Sequence, residues 1–215
     1  MNDNENIEIL KIVLIGESSV GKTNIISQFI DKIFLEELNI TVGGSFSSKS
    51  VKCEDLNKTI NLELWDTAGQ ERYRSVTKMF YKDADIVLLV YDITCKQSFE
   101  ELKNYWMEQV IESSLKEAML VIVANKSDLI EKEQVEEEEA RKYAKEKNAS
   151  FFIISAKEHF LVNELFKEII KKYSGSKKVI FLEDKEDSTF EYRKKRRDSV
   201  QITRKKTKKE KKRCC

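Results

Sequence analysis

"GESSVGKT", residues 16–23, decides the fold. The string fits G-x-x-x-x-G-K-[ST], and it falls between an apolar run, "ILKIVLI" (9–15), and a stretch with helical spacing. That context gives the motif its meaning. Its glycines let the backbone curl, so that successive N–H groups, those of Ser19, Val20, Gly21, Lys22 and Thr23 among them, face an anion. Ser18 and Asn24 flank them and belong to the same candidate site. The start of the helix adds its positive dipole end. Lys22 would reach the β- and γ-phosphates of a nucleotide, and the Thr23 hydroxyl would ligate Mg²⁺. The opposing reading is an ordinary strand–turn–helix junction with an incidental lysine, and the flanking elements count against it.

Outward from the loop, short apolar runs alternate with helical patterns: "NLELW" (61–65), "IVLLVY" (86–91), "MLVIVA" (119–124) and "FFIIS" (151–155). Ser98 and Glu101 suggest a capping box ahead of Phe99, Leu102, Trp106 and Val110, which recur at helical spacing. Val162, Leu165, Phe166, Ile169, Ile170 and Tyr173 line one face of a last helix. The "EEEE" at 136–139 reads as a solvated helix start. Continuous apolar strands alternating with amphipathic helices predict an α/β fold of the P-loop NTPase type. Its sheet is expected to be mostly parallel with helices on both faces. "SFSSKSVKCEDLNKTINLELW" breaks the rhythm and reads as two strands joined by a tight polar turn, so one antiparallel edge strand is expected. Residues 1–8 form a short extension, 9–173 the domain, and 174–215 a basic tail with "VIFL" (179–182) as its main apolar island.

The net charge of +1 conceals an asymmetry. Residues 174–215 carry 16 Lys+Arg against 7 Asp+Glu, which leaves 23 basic and 31 acidic groups in the body. An acidic body with a basic arm is the pattern of a compact domain joined to a solvated segment. Cys53 and Cys95 are far apart and suit reduced thiols in a cytosolic protein. The start, "MNDNENIE", is acidic and lacks an apolar run, so no signal peptide is expected. The longest apolar run, Ala118–Ala124, falls well short of the ~20 residues of a membrane helix. His159, the only histidine, has no evident metal-binding companion and reads as a surface residue.

Two further stretches address the base. "NKSD" (125–128: Asn125, Lys126, Ser127, Asp128) follows a buried strand, at the end of the sheet where such folds bind ligands. An Asp carboxylate there accepts two hydrogen bonds from guanine, and adenine lacks that pair of donors. "SAK" (Ser155, Ala156, Lys157) follows the next strand and could present the Ala156 N–H to guanine O6.

With these motifs in order, the sequence resembles the Ras superfamily of small GTPases and, within it, the Rab family. The likeness covers about residues 9 to 173 and is most specific at "WDTAGQE" (65–71). "RYRSV", "YDIT" and "SFEE" are similar to stretches that separate Rab proteins from Ras and Rho relatives, and "GESSVGKT" is nearest the endocytic branch. The resemblance implies that Asp66 and Thr41 join Thr23 around Mg²⁺ and that Gly69 senses the γ-phosphate. It also implies that Gln70 orients the attacking water as a catalytic residue beside Lys22. Phe34 has the family's spacing for a ring stacked on guanine. Phe46, Trp65 and Phe80 match an apolar triad read by effectors, against which simple core packing is the other reading. The partners implied are GTP/GDP, an exchange factor, a GTPase-activating protein, effectors, a GDP-dissociation inhibitor, and Rab geranylgeranyltransferase with its escort protein.

The chain departs from the family where "TVGGSF" has Gly44 and Ser45 in place of a β-branched and an acidic residue, which bears on effector identity. "IISAK" lacks the polar pair that usually precedes the Ser-Ala-Lys core. Cys214 and Cys215, the last two residues, match the family's double-cysteine end, each thiol taking a geranylgeranyl chain. One lipid anchors marginally and two anchor stably, with nearby cations adding attraction to an anionic leaflet. From Arg193 onward there are 13 basic and 2 acidic residues. Nucleic-acid binding would use that charge but leaves the cysteines unexplained, so no nucleic-acid partner is expected. The implied function is a GTP-hydrolysing switch for vesicle transport on the cytoplasmic face of an endosomal or other vesicular membrane, with a cytosolic pool. A nucleotide-locked membrane scaffold without significant hydrolysis is the alternative. A P-loop small-molecule kinase fits "NKSD" and "WDTAGQE" poorly.

Overall fold

Strand β1 (Ile7–Ile15) sends Leu10, Ile12 and Leu14 into the core on one face of the sheet and Val13 and Ile15 into the core on the other. Period-two alternation between two apolar cores is what turns "ILKIVLI" into a continuous hydrophobic run. β1 is central: in this computed structural model, which describes residues 7–36, 41, 43–69, 79–113 and 118–182, it pairs in parallel with two strands. One is β3 (Lys58–Thr67), the other β4 (Ile86–Asp92). β5 (Met119–Asn125) and β6 (Ser150–Ile153) continue the parallel side. β2 (Gly44–Cys53) runs antiparallel to β3 through a short turn that Asn57 closes in the left-handed region. β7 (Val179–Phe181) lies antiparallel to β2, so the seven-stranded order is β6-β5-β4-β1-β3-β2-β7.

On one face lie α1 (Lys22–Asp31) and, late in the chain, α5 (His159–Ser174), where Phe29 stacks on Phe166. On the other face α2 (Lys96–Glu101) passes through a π-helical turn (Leu102–Trp106) into α3 (Met107–Ser113), and α4 (Glu137–Glu146) packs Ala140 and Ala144 inward. The expected strands and helices are present. The chain order on either side of β1 diverges, placing the loop after β1 at the topological switch point where open α/β sheets bind ligands.

Three local expectations need correction. The helix after β4 starts at Lys96, with Cys95 rather than Ser98 in the capping position. The Ser98 hydroxyl is instead spent on the backbone of β4, accepting from the Asp92 N–H (3.0 Å) and donating to the Cys95 carbonyl (2.7 Å). His159 is half-buried rather than a plain surface residue, with its ring nitrogens 3.0 Å from the Gln28 carbonyl and 2.7 Å from Asn163 Nδ2. The apolar island "VIFL", assigned to the tail, supplies β7, so β2 is covered over part of its outer edge.

Asp55, in the turn after β2, clamps the approach to that last strand. Its carboxylate accepts from the Ser176 hydroxyl, from the Lys177 N–H (2.7 Å) and from the Lys178 N–H (3.3 Å). Lys178 also pairs with Glu54 at 2.5 Å. Beyond the clamp, Val179 is buried and Phe181 meets the edge of Phe29 at 5.1 Å. The donors from Lys177 and Ser176 hold the Asp55 carboxyl below its usual pKa. Stability from a depressed carboxylate is present above the ordinary range and is lost as pH falls through the lowered value. Asp55→Ala is therefore expected to speed hydrogen exchange at the Val179–Phe181 amides while leaving β1 and β3 protected. Acidification below the usual carboxylate range should do the same in the parent protein. Unchanged exchange in the variant would mean that strand pairing alone holds the segment.

Candidate functional site

The loop between β1 and α1 is shaped by contacts that tolerate no side chain. Gly16 (φ +142°) and Gly21 (φ +101°) take backbone conformations that L-residues rarely adopt. A Cβ on Gly16 would lie 2.2 Å from the Val90 carbonyl oxygen, and one on Gly21 would lie 2.3 Å from the Asn125 amide nitrogen. The loop opens on a cavity of about 540 Å³ lined by Ser18, Ser19, Gly21, Lys22, Thr23 and Asn24. The first N–H groups of a helix have no acceptor within it, so the start of α1 presents donors at this wall. Val20 is different: its side chain is in the core and its carbonyl is turned toward Asn125.

Lys22 is buried, 5% exposed, and its ammonium donates to the carbonyls of Gly16 (2.8 Å) and Glu17 (2.7 Å). Burial pulls its pKa down to about 8, partly offset by Asp66 and Glu17. A buried cation is stabilised by an anion brought alongside.

Asp66, at the end of β3, is 1% exposed, and desolvation raises its pKa against the opposing pull of Thr23, Lys22 and Thr41. Thr23 Oγ1 donates to Asp66 Oδ2 at 2.7 Å and lies 3.1 Å from Thr41 Oγ1. The other carboxylate oxygen, Oδ1, is buried without a hydrogen-bond partner. An orphaned carboxylate oxygen beside two hydroxyls suits a hard divalent cation that completes its shell with phosphate oxygens and water, as Mg²⁺ does. Among the described residues there is no cluster of three or more His, Cys, Asp or Glu, the arrangement an all-protein metal cage would use. Gly69 closes this side of the site, since a Cβ there would come within 2.5 Å of the Glu17 and Ser18 backbone. Gln70 lies outside the described residues.

The opposite wall is formed by Asn125, Lys126, Asp128, Ser155, Ala156 and Lys157, with Phe34 alongside. Asn125 is 1% exposed and uses both ends of its amide: Nδ2 donates to the Val20 carbonyl (2.8 Å), and Oδ1 accepts from the Ala156 N–H (3.0 Å). It is the tie between the phosphate loop and the "SAK" loop. Lys126 takes a left-handed conformation (φ +69°) and pairs with Asp92 at 2.6 Å, which holds the turn that carries Asp128. Asp128 Oδ1 accepts from the Ser155 hydroxyl at 2.6 Å, and Lys157 approaches Oδ2 at 3.5 Å. That last pair is half in solvent and contributes little to stability, so its effect is orientation. The Lys157 ammonium lies 5.5 Å from the Phe34 ring centre.

Sequence reasoning missed several residues. Leu35, Glu36, Thr67 and Leu129 also line the cavity. Asn24 clamps Leu35 with paired backbone hydrogen bonds of 3.1 and 3.0 Å, so it holds the loop after α1 as well as lining the cavity. Asp92 was visible in "YDIT" but nothing in that string marks it as the partner of Lys126.

Beside the cavity, Trp65 joins Phe46 (5.2 Å) and Phe80 (5.5 Å). Trp65 and Phe80 pack partly on the core, whereas Phe46 is 48% exposed. A Cβ on Gly44 would lie 2.8 Å from the Phe80 ring. Phe80 therefore fills the space that a β-branched side chain would need. Cys214, Cys215 and the basic arm lie outside the described residues, and among those described no helix is long and apolar enough to cross a membrane.

A strand–loop–helix phosphate cradle at the switch point of a mixed sheet defines a P-loop nucleotide-binding fold. Residues 11–175 match the model of the Ras family. The chain is 37% identical over 172 residues to the Ras-related protein RabC of Dictyostelium discoideum, covering 80% of this chain and 87% of that protein. It is 39% identical over 172 residues to Rab-5A of the same organism (80% and 84%). It is 40% identical over 173 residues to the Ras-related protein RGP2 of Oryza sativa subsp. japonica (80% and 78%). The chain belongs to the Ras family of small GTPases, and its relatives include Rab proteins.

Because Asn125 satisfies two buried backbone groups on separate loops, Asn125→Ala leaves both unpaired. The expected loss is about 2–4 kcal/mol of stability in urea unfolding without added nucleotide. A loss below about 1 kcal/mol would mean that the two loops are held together by other contacts.

Proposed function

We propose that this GTPase is a Mg²⁺-dependent, Rab-like switch that cycles between GDP and GTP and recruits effectors to membranes in vesicle transport. The observation that carries the reading is the Asn125 tie, which joins a phosphate wall centred on Lys22 and a base wall centred on Asp128 into one cavity. The Asp128 carboxylate faces the N1–H and 2-amino donors of guanine, beside the "SAK" loop that Asn125 Oδ1 holds through the Ala156 N–H. Phe34 stacks on the ring. Adenine offers the carboxylate no such pair of donors, so the contacts that favour guanine are lost.

Hydrolysis of GTP depends on positioning and charge stabilisation more than on covalent chemistry. Lys22 stabilises negative charge on the phosphate oxygens. Thr23, Thr41 and Asp66 would hold Mg²⁺, whose charge neutralises the same oxygens when it is bound. Gln70 orients the attacking water, and Gly69 contacts the γ-phosphate through its backbone. Turnover without help is slow, on the order of 10⁻⁴ to 10⁻³ s⁻¹, and rises when a GTPase-activating protein supplies an arginine. Release of the γ-phosphate frees the loops around 34–44 and 66–81, which is the switch. Phe46, with Trp65 and Phe80, forms the face that effectors read in the GTP state, and its Gly44–Phe80 contact distinguishes this chain's partners from those of relatives with a β-branched residue.

The tail supplies the membrane. Cys214 and Cys215 take geranylgeranyl chains, delivered with an escort protein, and a GDP-dissociation inhibitor maintains the cytosolic pool. The cations from Arg193 to Arg213 select anionic leaflets.

Two sets of variants test this reading. Asp128→Asn exchanges an acceptor for a donor at one position, so it should weaken GTP and GDP and favour xanthine nucleotides in displacement assays. Gln70→Leu should bind GTP normally but lose most of the stimulated hydrolysis, read as phosphate release with an activating protein present. Stimulated hydrolysis at the parent rate would remove Gln70 from the mechanism and favour the nucleotide-locked scaffold if the parent rate is itself negligible.

The lipid and charge contributions separate in a second experiment. Deleting Cys214 and Cys215 should make the protein cytosolic with every lysine still in place, because adsorption by charge alone is reversible and salt-sensitive. Neutralising the Lys and Arg between 204 and 213 should leave it lipidated and membrane-bound but spread over less anionic membranes. Fractionation in low and high salt, with mass spectrometry of the C-terminal peptide, reads both. Unmodified cysteines on membrane-bound parent protein would contradict the lipid assignment.

A further inference from the structure

Glu17, in the phosphate loop, makes contacts through both its main chain and its side chain. Its carbonyl accepts from the Lys22 ammonium at 2.7 Å. Its backbone is also the seat of Gly69, where even a methyl group would come within 2.4 Å of the Glu17 carbonyl carbon. Its side chain does not line the cavity. Instead Glu17 Oε1 accepts a hydrogen bond of 3.3 Å from the indole nitrogen of Trp106, a residue 89 positions away and 1% exposed. Trp106 closes the π-helical turn Leu102–Trp106, the one break in an otherwise α-helical stretch from Lys96 to Ser113 among the described residues. Such turns within α-helices are often found at functional sites.

We propose that Trp106 is a positioning residue for the γ-phosphate side of the site: its indole N–H fixes Glu17, and Glu17's backbone in turn fixes both the Lys22 ammonium and the close approach of Gly69. The inference rests on the guanine-nucleotide reading given above. The plainer account is that Trp106 fills the core and its N–H needs some acceptor, as buried indoles do. Two features favour positioning. The acceptor is a side chain from the phosphate loop rather than a neighbouring carbonyl, so the bond links the helix directly to that loop. The same residue's main chain touches two groups that would flank the terminal phosphate. A carboxylate this near the phosphates would repel them if it turned inward, and the indole holds it on the far side of the loop.

The two accounts separate by which nucleotide is affected. GDP uses Lys22 but not the Gly69 approach, whereas GTP uses both. Phe in place of Trp106 keeps most of the packing and removes the donor, and Ala in place of Glu17 removes the acceptor without touching the core. The measurement is the release rate of fluorescent GDP and of a fluorescent, non-hydrolysable GTP analogue, in Mg²⁺, from full-length parent, Trp106→Phe, Glu17→Ala and the double variant. Each single variant should speed release of the GTP analogue about tenfold, equivalent to about 1.4 kcal/mol, which is at the lower end for a hydrogen bond to a charged group. GDP release should change by no more than about threefold. The double variant should be no worse than either single one, because both remove the same bond. Glu17→Gln, which keeps an oxygen acceptor, should recover part of the loss. Equal acceleration of the two nucleotides, additive effects, or release at the parent rate in Glu17→Ala would overturn the proposal and leave Trp106 as a core residue. If the parent protein binds neither guanine nucleotide, the functional reading fails and this inference fails with it, an outcome distinct from parent binding with unaffected variants.

Discussion

The ammonium group of Lys22 lies buried beneath the start of α1 with two carbonyl oxygens as its closest partners. Those carbonyls take two of its three donors but do not neutralise its charge, and burial lowers its pKa. The structure around it is organised to hold that charge in place rather than to relieve it. Gly16 and Gly21 bend the loop into contact with Val90 and Asn125, and Gly69 presses on the loop from outside. Asp66, whose charge acts on Lys22, is itself desolvated and bonded to Thr23, with one oxygen left over. A cation and an anion that are both buried and incompletely paired are best stabilised by a bound ligand carrying the opposite charges. A nucleotide phosphate with Mg²⁺ meets both needs.

The second half of the site depends on the same loop through Asn125. Its amide spans Val20 and Ala156, so one buried side chain bridges the two walls of the cavity. Asn24 does the equivalent for the loop that carries Phe34, by clamping Leu35. The aromatic face formed by Phe46, Trp65 and Phe80 abuts this region, with Phe80 resting on Gly44 at the start of β2.

Much of this was legible in the sequence because the decisive residues are local. "GESSVGKT" between a strand and a helix carries its own geometry, "NKSD" follows a buried strand, and "SAK" follows the half-buried edge strand, both at the expected end of the sheet. The doubly buried strands announced themselves as unbroken apolar runs. What escaped was non-local. Asn24 and Asn125 act on partners that no spacing rule links to them. Ser98 resembles a helix cap in sequence, yet its hydroxyl is taken up by the backbone of the preceding strand. β7 is three residues in a charged segment, and just ahead of it Asp55, distant in sequence, accepts the Ser176 and Lys177 donors. Trp106 read as one more apolar residue on a helical face, and its indole contact with Glu17 became visible only when the fold brought the two together.

The central claim is that one cavity pairs a buried lysine and an orphaned carboxylate with a phosphate–Mg²⁺ ligand while Asp128 selects the base. Calorimetric titration of nucleotide-stripped, full-length protein with GDP and with ADP, each in Mg²⁺ and in EDTA, tests it most directly. GDP should bind at least about 10³-fold more tightly than ADP, since a site built to receive specific hydrogen-bond donors rejects an analogue lacking them. GDP should also lose affinity when Mg²⁺ is removed. Equal affinity for GDP and ADP, or GDP binding indifferent to Mg²⁺, would contradict the claim.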